Sequence, residues 1–232
     1  MKYNEDSRVK IPALIHLSRL GYEYLSLKDS YWEKDNNVFK EIFISSLLKI
    51  NKDVSELDIE KHYQKINLLL DNDDLGKEFY SLLLSNEIKL IDFDNISNNT
   101  FNVVTELPYI NGEDSFRPDI TLLINGMPLV FIEVKIPNNK EGIIAERNRI
   151  NSRFKNRKFK KFINISQILV FTNNMQYEDD GFEKIQGSFY ATTSNNDIIF
   201  NSFIEEKVEI YGGENLSTLD NAVEDFILLD NN

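Results

Sequence analysis

Apolar residues fall at 38, 39, 42, 43, 44, 47, 48 and 50, a broad stripe at helical spacing that predicts a helix from Val38 to Ile50. Pro12 to Leu20, stopped by Gly21, predicts a shorter helix with proline in its first turn and glycine just past its end. A third runs from Ser55 to Leu70, opened by a capping-box-like pairing of Ser55 with Asp58. Asp73 to Leu84 predicts a fourth. Between them, Tyr22 to Leu27 alternates as a strand does, and the polar stretch Lys28 to Asn37 reads as loop. The rhythm then changes. Ile88 to Phe93, Phe101 to Leu107, Asp119 to Ile124 and Leu129 to Val134 read as strands, separated by Asn, Gly, Asp and Ser clusters. Ile143 to Phe154 predicts a helix, Gln167 to Thr172 a buried strand, Phe189 to Thr192 another strand, and Ser217 to Leu229 a closing helix. The class is α/β: a mixed sheet flanked by helices, with a helical N-terminal third (about 1–86) ahead of the sheet (about 87–232), read as one domain.

Composition narrows the chemistry. In 232 residues, 41% of them hydrophobic, one substantial core can form. No apolar run reaches membrane-spanning length, and the start carries no signal-peptide segment, so no membrane role is expected. The absence of cysteine removes disulfides and thiolate sites and fits a cytoplasmic location. With only His16 and His62, a hard cation on carboxylates is the metal this chain can support. The net charge of −12 argues against a polyanionic partner until its distribution is read. Arg147, Arg149, Arg153, Lys155, Arg157, Lys158, Lys160 and Lys161 fall in one stretch without an acid, and the rest of the chain sets 18 basic against 38 acidic residues. Such a cluster suits the DNA backbone. Phe154, Phe159 and Phe162 interleave with it at core-like spacing, and Trp32, in a polar loop, is a candidate subunit contact.

The segment RPDITLLINGMPLVFIEVK (117–135) places Asp119, Glu133 and Lys135 in otherwise apolar, strand-like sequence. Buried charge is costly unless paired or metal-bound. Glu133 and Lys135 share a strand face. The position of Asp119 depends on register. A two-residue loop at Asn125-Gly126 pairs Asp119 with Ile132, off that face; a three-residue loop, or a bend near Pro118, brings it beside Glu133. Two neighbouring carboxylates attract a cation, and a nearby lysine can stabilise developing charge, which is the equipment of metal-assisted phosphodiester hydrolysis. The short motif is cheap, since Glu205 and Lys207 repeat it.

The longer pattern is more specific. Asn98-Asn99-Thr100-Phe101, Arg117-Pro118-Asp119, Asn125-Gly126-Met127-Pro128-Leu129 and Glu133-Val134-Lys135 occur in order, followed by Ile144 to Arg149 and Phe162 to Gln167. Together these resemble the N-terminal nuclease region of the restriction (R) subunit of type I restriction–modification enzymes. The resemblance implies a restriction-endonuclease-like PD-(D/E)xK core that cuts double-stranded DNA without sequence preference of its own. It implies Asp119, Glu133 and the Val134 carbonyl as Mg²⁺ ligands and Lys135 as catalytic lysine, with methylation and specificity subunits as partners. The Gln-x-x-x-Tyr pattern many relatives carry after the lysine is missing, with Arg147, Asn148, Arg149 and Ser152 in its place; Gln186 and Tyr190 lie too far downstream. Glu41 is a candidate for an additional early-helix carboxylate, or an exposed helix residue. The resemblance also implies an ATP-driven translocase motor in the whole subunit. No G-x-x-x-x-G-K-[ST] phosphate loop occurs here, so the chain reads as an excised N-terminal piece or a truncated product that does not bind ATP by that route. The alternative is a non-catalytic module of nuclease-like fold that docks DNA or other subunits.

Overall fold

The computed structural model describes residues 9–136, 142–173 and 187–193, together with the backbone of strands at 201–203, 208–210 and 214–216. Four helices come first: α1 (Ile11–Arg19), α2 (Lys40–Ile50), α3 (Glu56–Leu69) and α4 (Lys77–Leu83), with the short strand β1 (Glu23–Tyr24) between the first two. Then follow β2 (Phe101–Thr105), β3 (Tyr109–Asn111), β4 (Asp114–Phe116), β5 (Ile120–Ile124) and β6 (Met127–Val134). Helices α5 (Gly142–Phe154) and α6 (Lys160–Ile165) lead into β7 (Ile168–Thr172), β8 (Ser188–Ala191) and β9 (Asn201–Phe203), with β10 (Val208–Ile210) and β11 (Glu214–Leu216) as a separate pair.

The main sheet is mixed, in the order β1-β2-β5-β6-β7-β8-β9. Its β1–β2 and β6–β7 pairs are parallel and the others antiparallel. Strand β6 is central and near-continuously apolar, as a strand covered on both faces must be. On one face α1 covers Val103, Ile120, Leu122 and Val134 with Leu17. On the other, α5 and α6 lay Ile143, Ile150, Phe162 and Ile163 against Phe131, Leu169 and Phe171. Helices α2–α4 form a third cluster around Phe43, Ile59, Ile66 and Phe79, closing on Met127 and Leu129 at the turn end of β6.

Local chemistry explains where elements begin and end. Ser55 caps α3 by accepting from the Asp58 amide, as its capping-box start predicts. Helix α4 starts later than Asp73 because Gly76, at φ +77°, packs against the Asn164 backbone, where a Cβ would meet the carbonyl oxygen at 2.4 Å. The expected strand at Ile88 to Phe93 is irregular chain instead. Its backbone groups are satisfied by side chains: Asn51 bonds Lys89 N–H and C=O, and Asn99 bonds those of Asp92. Helix α6 and the β3–β4 hairpin were not expected, while the expected helix from Ser217 to Leu229 lies outside the described residues. Trp32 is corrected as well. It is buried, stacked on Phe39 at 5.8 Å and packed with Val104, Leu107 and Leu123, so it is a core residue and not a subunit contact.

Candidate active site

The β5–β6 turn has two residues, Asn125 and Gly126, at φ +50° and +78°, the pair of positive angles a tight hairpin turn requires. Taken alone, that turn would put Asp119 opposite Ile132. The ladder instead shifts by one between Leu122 and Leu123: Leu123 pairs with Pro128, Leu122 with Val130, and Leu129 is the extra residue of a β-bulge. Ile120 therefore pairs with Ile132, and the next step outward sets Asp119 against Glu133. Pro128 explains the location, because it has no N–H for the ladder and a central strand tolerates proline only at a bulge. The extra residue was expected in the loop or near Pro118; it lies inside β6.

The turn is held at both flanks. The Phe39 amide at the head of α2 donates to the Gly126 carbonyl at 2.9 Å, and buried Asn125 donates to Leu90 C=O and Asn99 Oδ1 while accepting from Thr100 N–H. Helices, turn and bulge thus hold one register from one end of the hairpin to the other.

At the far end, backbone and carboxylates interlock. The Asp119 amide donates to Glu133 Oε2 at 3.1 Å, and the Val134 amide donates to Asp119 Oδ2 at 2.9 Å. The Glu106 amide, on a residue at φ +55°, donates to the Asp119 carbonyl at 3.3 Å. Lys135 Nζ donates to the Val134 carbonyl at 2.9 Å and lies 3.8 Å from Asp119 Oδ2. Asp119, Glu133 and Lys135 are therefore brought together on the sheet face that α5 covers. Glu133 is only 6% exposed. Burial first, then the neighbouring Asp119 and Glu146 carboxylates, push its carboxyl up to about 9.

Lys10 and a third carboxylate, Glu146, neither singled out in the sequence, complete the cluster together with Arg149 and Arg153 of the basic stretch. Lys10, just before α1, pairs with Glu106 and lies 3.7 Å from Asp119 Oδ1. Glu146, fully buried on α5, lies 3.7 Å from Lys135 Nζ and accepts from Arg149 at 2.7 Å. Arg153 approaches its other oxygen to 3.7 Å and lies over the Phe116 ring at 4.1 Å; burial lowers its pKa. One signal could have exposed Glu146. It is the sole acid between Gly142 and Lys161, and it shares the buried stripe of Ile143 and Ile150.

The donors near Asp119 suit a hard divalent cation: two carboxylates, with the Val134 carbonyl beside them. Among the described residues no three acidic or histidine side chains form a metal cage. Mg²⁺ does not need one, because it binds through one or two carboxylates and keeps water in the rest of its shell. The raised Glu133 pKa is the electrostatic counterpart, since carboxyls this close need a proton or cation between them. Glu41 is exposed in the first turn of α2, beside the hairpin turn and so roughly 20 Å of strand from Asp119. The fold does not bring it to the cluster.

The basic stretch divides. Arg149 and Arg153 face Glu146. Lys158 pairs with Asp114, Lys160 with Asp73, and Lys161 with Asp35 and Asp71, tying the α5–α6 region to the helical third and the β3–β4 hairpin. Arg147 is half-buried, and Lys155 and Arg157 are exposed. Phe159 and Phe162 are core residues packed on Phe116.

Residues 2–178 match the family model described as type I restriction enzyme R protein N terminus. A protein of Methanocaldococcus jannaschii named "Putative type I restriction enzyme MjaIXP endonuclease subunit" is 29% identical over 201 residues, 75% of this chain and 19% of the relative. Its MjaVIIIP counterpart from the same organism is 32% identical over 154 residues, 59% of this chain and 15% of the relative. The chain thus spans under a fifth of the length of these relatives.

Proposed function

Because the chain belongs to the family of type I restriction enzyme R protein N termini, we propose that it is a Mg²⁺-dependent DNA endonuclease domain, hydrolysing phosphodiester bonds without sequence preference of its own. The observation that carries the proposal is the bulge at Leu129, which sets Asp119 against a buried Glu133 with Lys135 on the same face. Asp119, Glu133 and the Val134 carbonyl would hold the ion. A bound Mg²⁺ polarises a phosphodiester oxygen and makes its water a better nucleophile. The protein contributes the rest. The Val134 amide fixes the Asp119 carboxylate, and the Asp119 amide fixes Glu133, so neither reorganises as charge develops. Lys135 supplies a proton donor and positive charge beside the scissile phosphate.

The basic stretch supplies phosphate contacts. Exposed Lys155 and Arg157 are immediately available, and the pairs of Lys158 and Lys160 with partly exposed acids are weak enough to exchange for phosphate. Methylation and specificity subunits are the partners the R-protein family suggests, and target choice rests with them. The name shared by the archaeal relatives, endonuclease subunit, supports the same reading.

The test is plasmid cleavage in Mg²⁺ by the wild type, Glu133→Ala and Lys135→Ala. Cleavage by the wild type alone is the expected result. Equal cleavage by all three would sink the assignment, and a chain that binds DNA and other subunits but cleaves in no context would favour the docking module.

A further inference from the structure

The position of Lys135 raises a problem for the proposed site. Its ammonium donates to the Val134 carbonyl at 2.9 Å and lies 3.8 Å from Asp119 Oδ2. Those oxygens belong to two of the three groups assigned to the ion, so ammonium and metal compete for them. If the ion is to be held there, Lys135 needs somewhere else to go that does not leave a buried charge alone, which is strongly unfavourable.

Glu146 meets that need. Its side chain is 1% exposed, and Oε2 already lies 3.7 Å from Lys135 Nζ while accepting from Arg149 at 2.7 Å. Among the described residues Oε1 accepts no hydrogen bond, and Arg153 Nη1, 3.7 Å away, makes none either. A carboxylate offers about four acceptor sites. An unused buried acceptor is costly unless another state of the molecule uses it.

We propose that Glu146 is the berth to which the Lys135 ammonium passes when a divalent cation takes Asp119, Glu133 and the Val134 carbonyl. Glu146 is thus a positioning residue: its carboxylate, whose charge Arg149 and Arg153 already share, holds the lysine beside the site. This rests on the nuclease reading. In this family member it assigns a function to a helix that lacks the Gln-x-x-x-Tyr pattern.

The test is Mg²⁺ and Mn²⁺ affinity by calorimetry on the full chain, in a double-mutant cycle of Lys135→Met and Glu146→Gln. Lys135→Met removes the competitor, and tighter binding by about tenfold is expected. Glu146→Gln removes the berth, so Lys135 holds its oxygens and binding weakens by a similar factor. In the Lys135→Met background, Glu146→Gln changes affinity less than about twofold. Glu146→Asp, which keeps the charge, restores most of the wild-type constant. A loss on Glu146→Gln that is equal in both backgrounds reflects charge alone and overturns the berth. Glu133→Gln separates the two readings. If it leaves a measurable wild-type affinity unchanged, or the wild type binds neither ion, the metal site itself fails and the berth with it.

Discussion

The Asp119 amide donates to Glu133 Oε2, and the amide next to Glu133, that of Val134, donates back to Asp119 Oδ2. Each carboxylate is therefore fixed by the backbone of the other's strand. The reciprocal pairing exists only because the β5–β6 register is offset by one residue. Restoring a regular ladder turns one partner to the opposite face.

The raised Glu133 carboxyl gives a pH prediction. Its folded value, about 9, lies above the ordinary 4.5, so between those values the folded state holds a proton that the unfolded chain has released. Stability must then fall as pH rises through that window, at no more than about 1.4 kcal/mol per pH unit for one proton. Urea unfolding in EDTA from pH 5 to 9 should show the decline in wild type and a flatter profile in Glu133→Gln. Added Mg²⁺ should raise the midpoint more at pH 8 than at pH 6, because a ligating carboxylate must lose its proton. Superimposable profiles for the two proteins would count against the buried, crowded carboxyl.

Gly126→Ala tests the clamp on the turn. The residue is at φ +78°, and a Cβ there would meet the Phe39 carbonyl at 2.6 Å and the Phe43 amide at 2.8 Å. Both obstacles are backbone at the head of α2, so neither can swing away. A loss of ~2 kcal/mol or more is expected in urea unfolding. A change below about 0.5 kcal/mol would mean that α2 does not bear on the turn.

Asn125→Ala tests the same end of the hairpin through hydrogen bonding. The buried amide makes three bonds, and its removal strands the Leu90 carbonyl and the Thr100 N–H. A cost of about 2–4 kcal/mol follows from the unsatisfied groups. Asn125→Asp keeps the acceptor for Thr100, loses both donors when ionised and regains one when protonated, so at low pH it should lie between Ala and wild type.

These elements also mark what was legible in the sequence. Asn125-Gly126 announced the turn, and Ser55 with Asp58 announced α3, because each acts through neighbours a few residues away. The clustering of Asp119, Glu133 and Lys135 was anticipated as residue types, but not how the strand would produce it. Pro128 carried that information: a proline in a central strand implies a bulge, and the bulge sets the register. Ile88 to Phe93 was misread because its backbone partners are Asn51 and Asn99 side chains, one of them from α2's end. Glu146 and Lys10 were missed because their roles depend on which helix lands on which sheet face. No local pattern states that.

The divided basic stretch yields the last prediction. Lys155 and Arg157 are exposed, whereas Lys161, with a side chain 17% exposed, pairs with Asp35 and Asp71 and bonds Asn67. If the first two contact DNA phosphates, the Lys155→Ala/Arg157→Ala double variant should weaken binding to unrelated duplexes alike. It should also reduce the slope of log K against log salt by about 2, roughly one for each phosphate no longer neutralised. Folding stability should stay within about 0.5 kcal/mol of wild type, because surface positions contribute little. Lys161→Ala should show the reverse, a measurable loss of stability with a salt slope near the wild-type value, because its charge already serves to hold α6 against the helical third. Fluorescence anisotropy with two duplexes of different sequence, between about 50 and 200 mM salt, separates these outcomes. An unchanged slope in the double variant would move the DNA-facing surface away from Lys155 and Arg157, toward Arg117 and the Arg149–Arg153 face of α5.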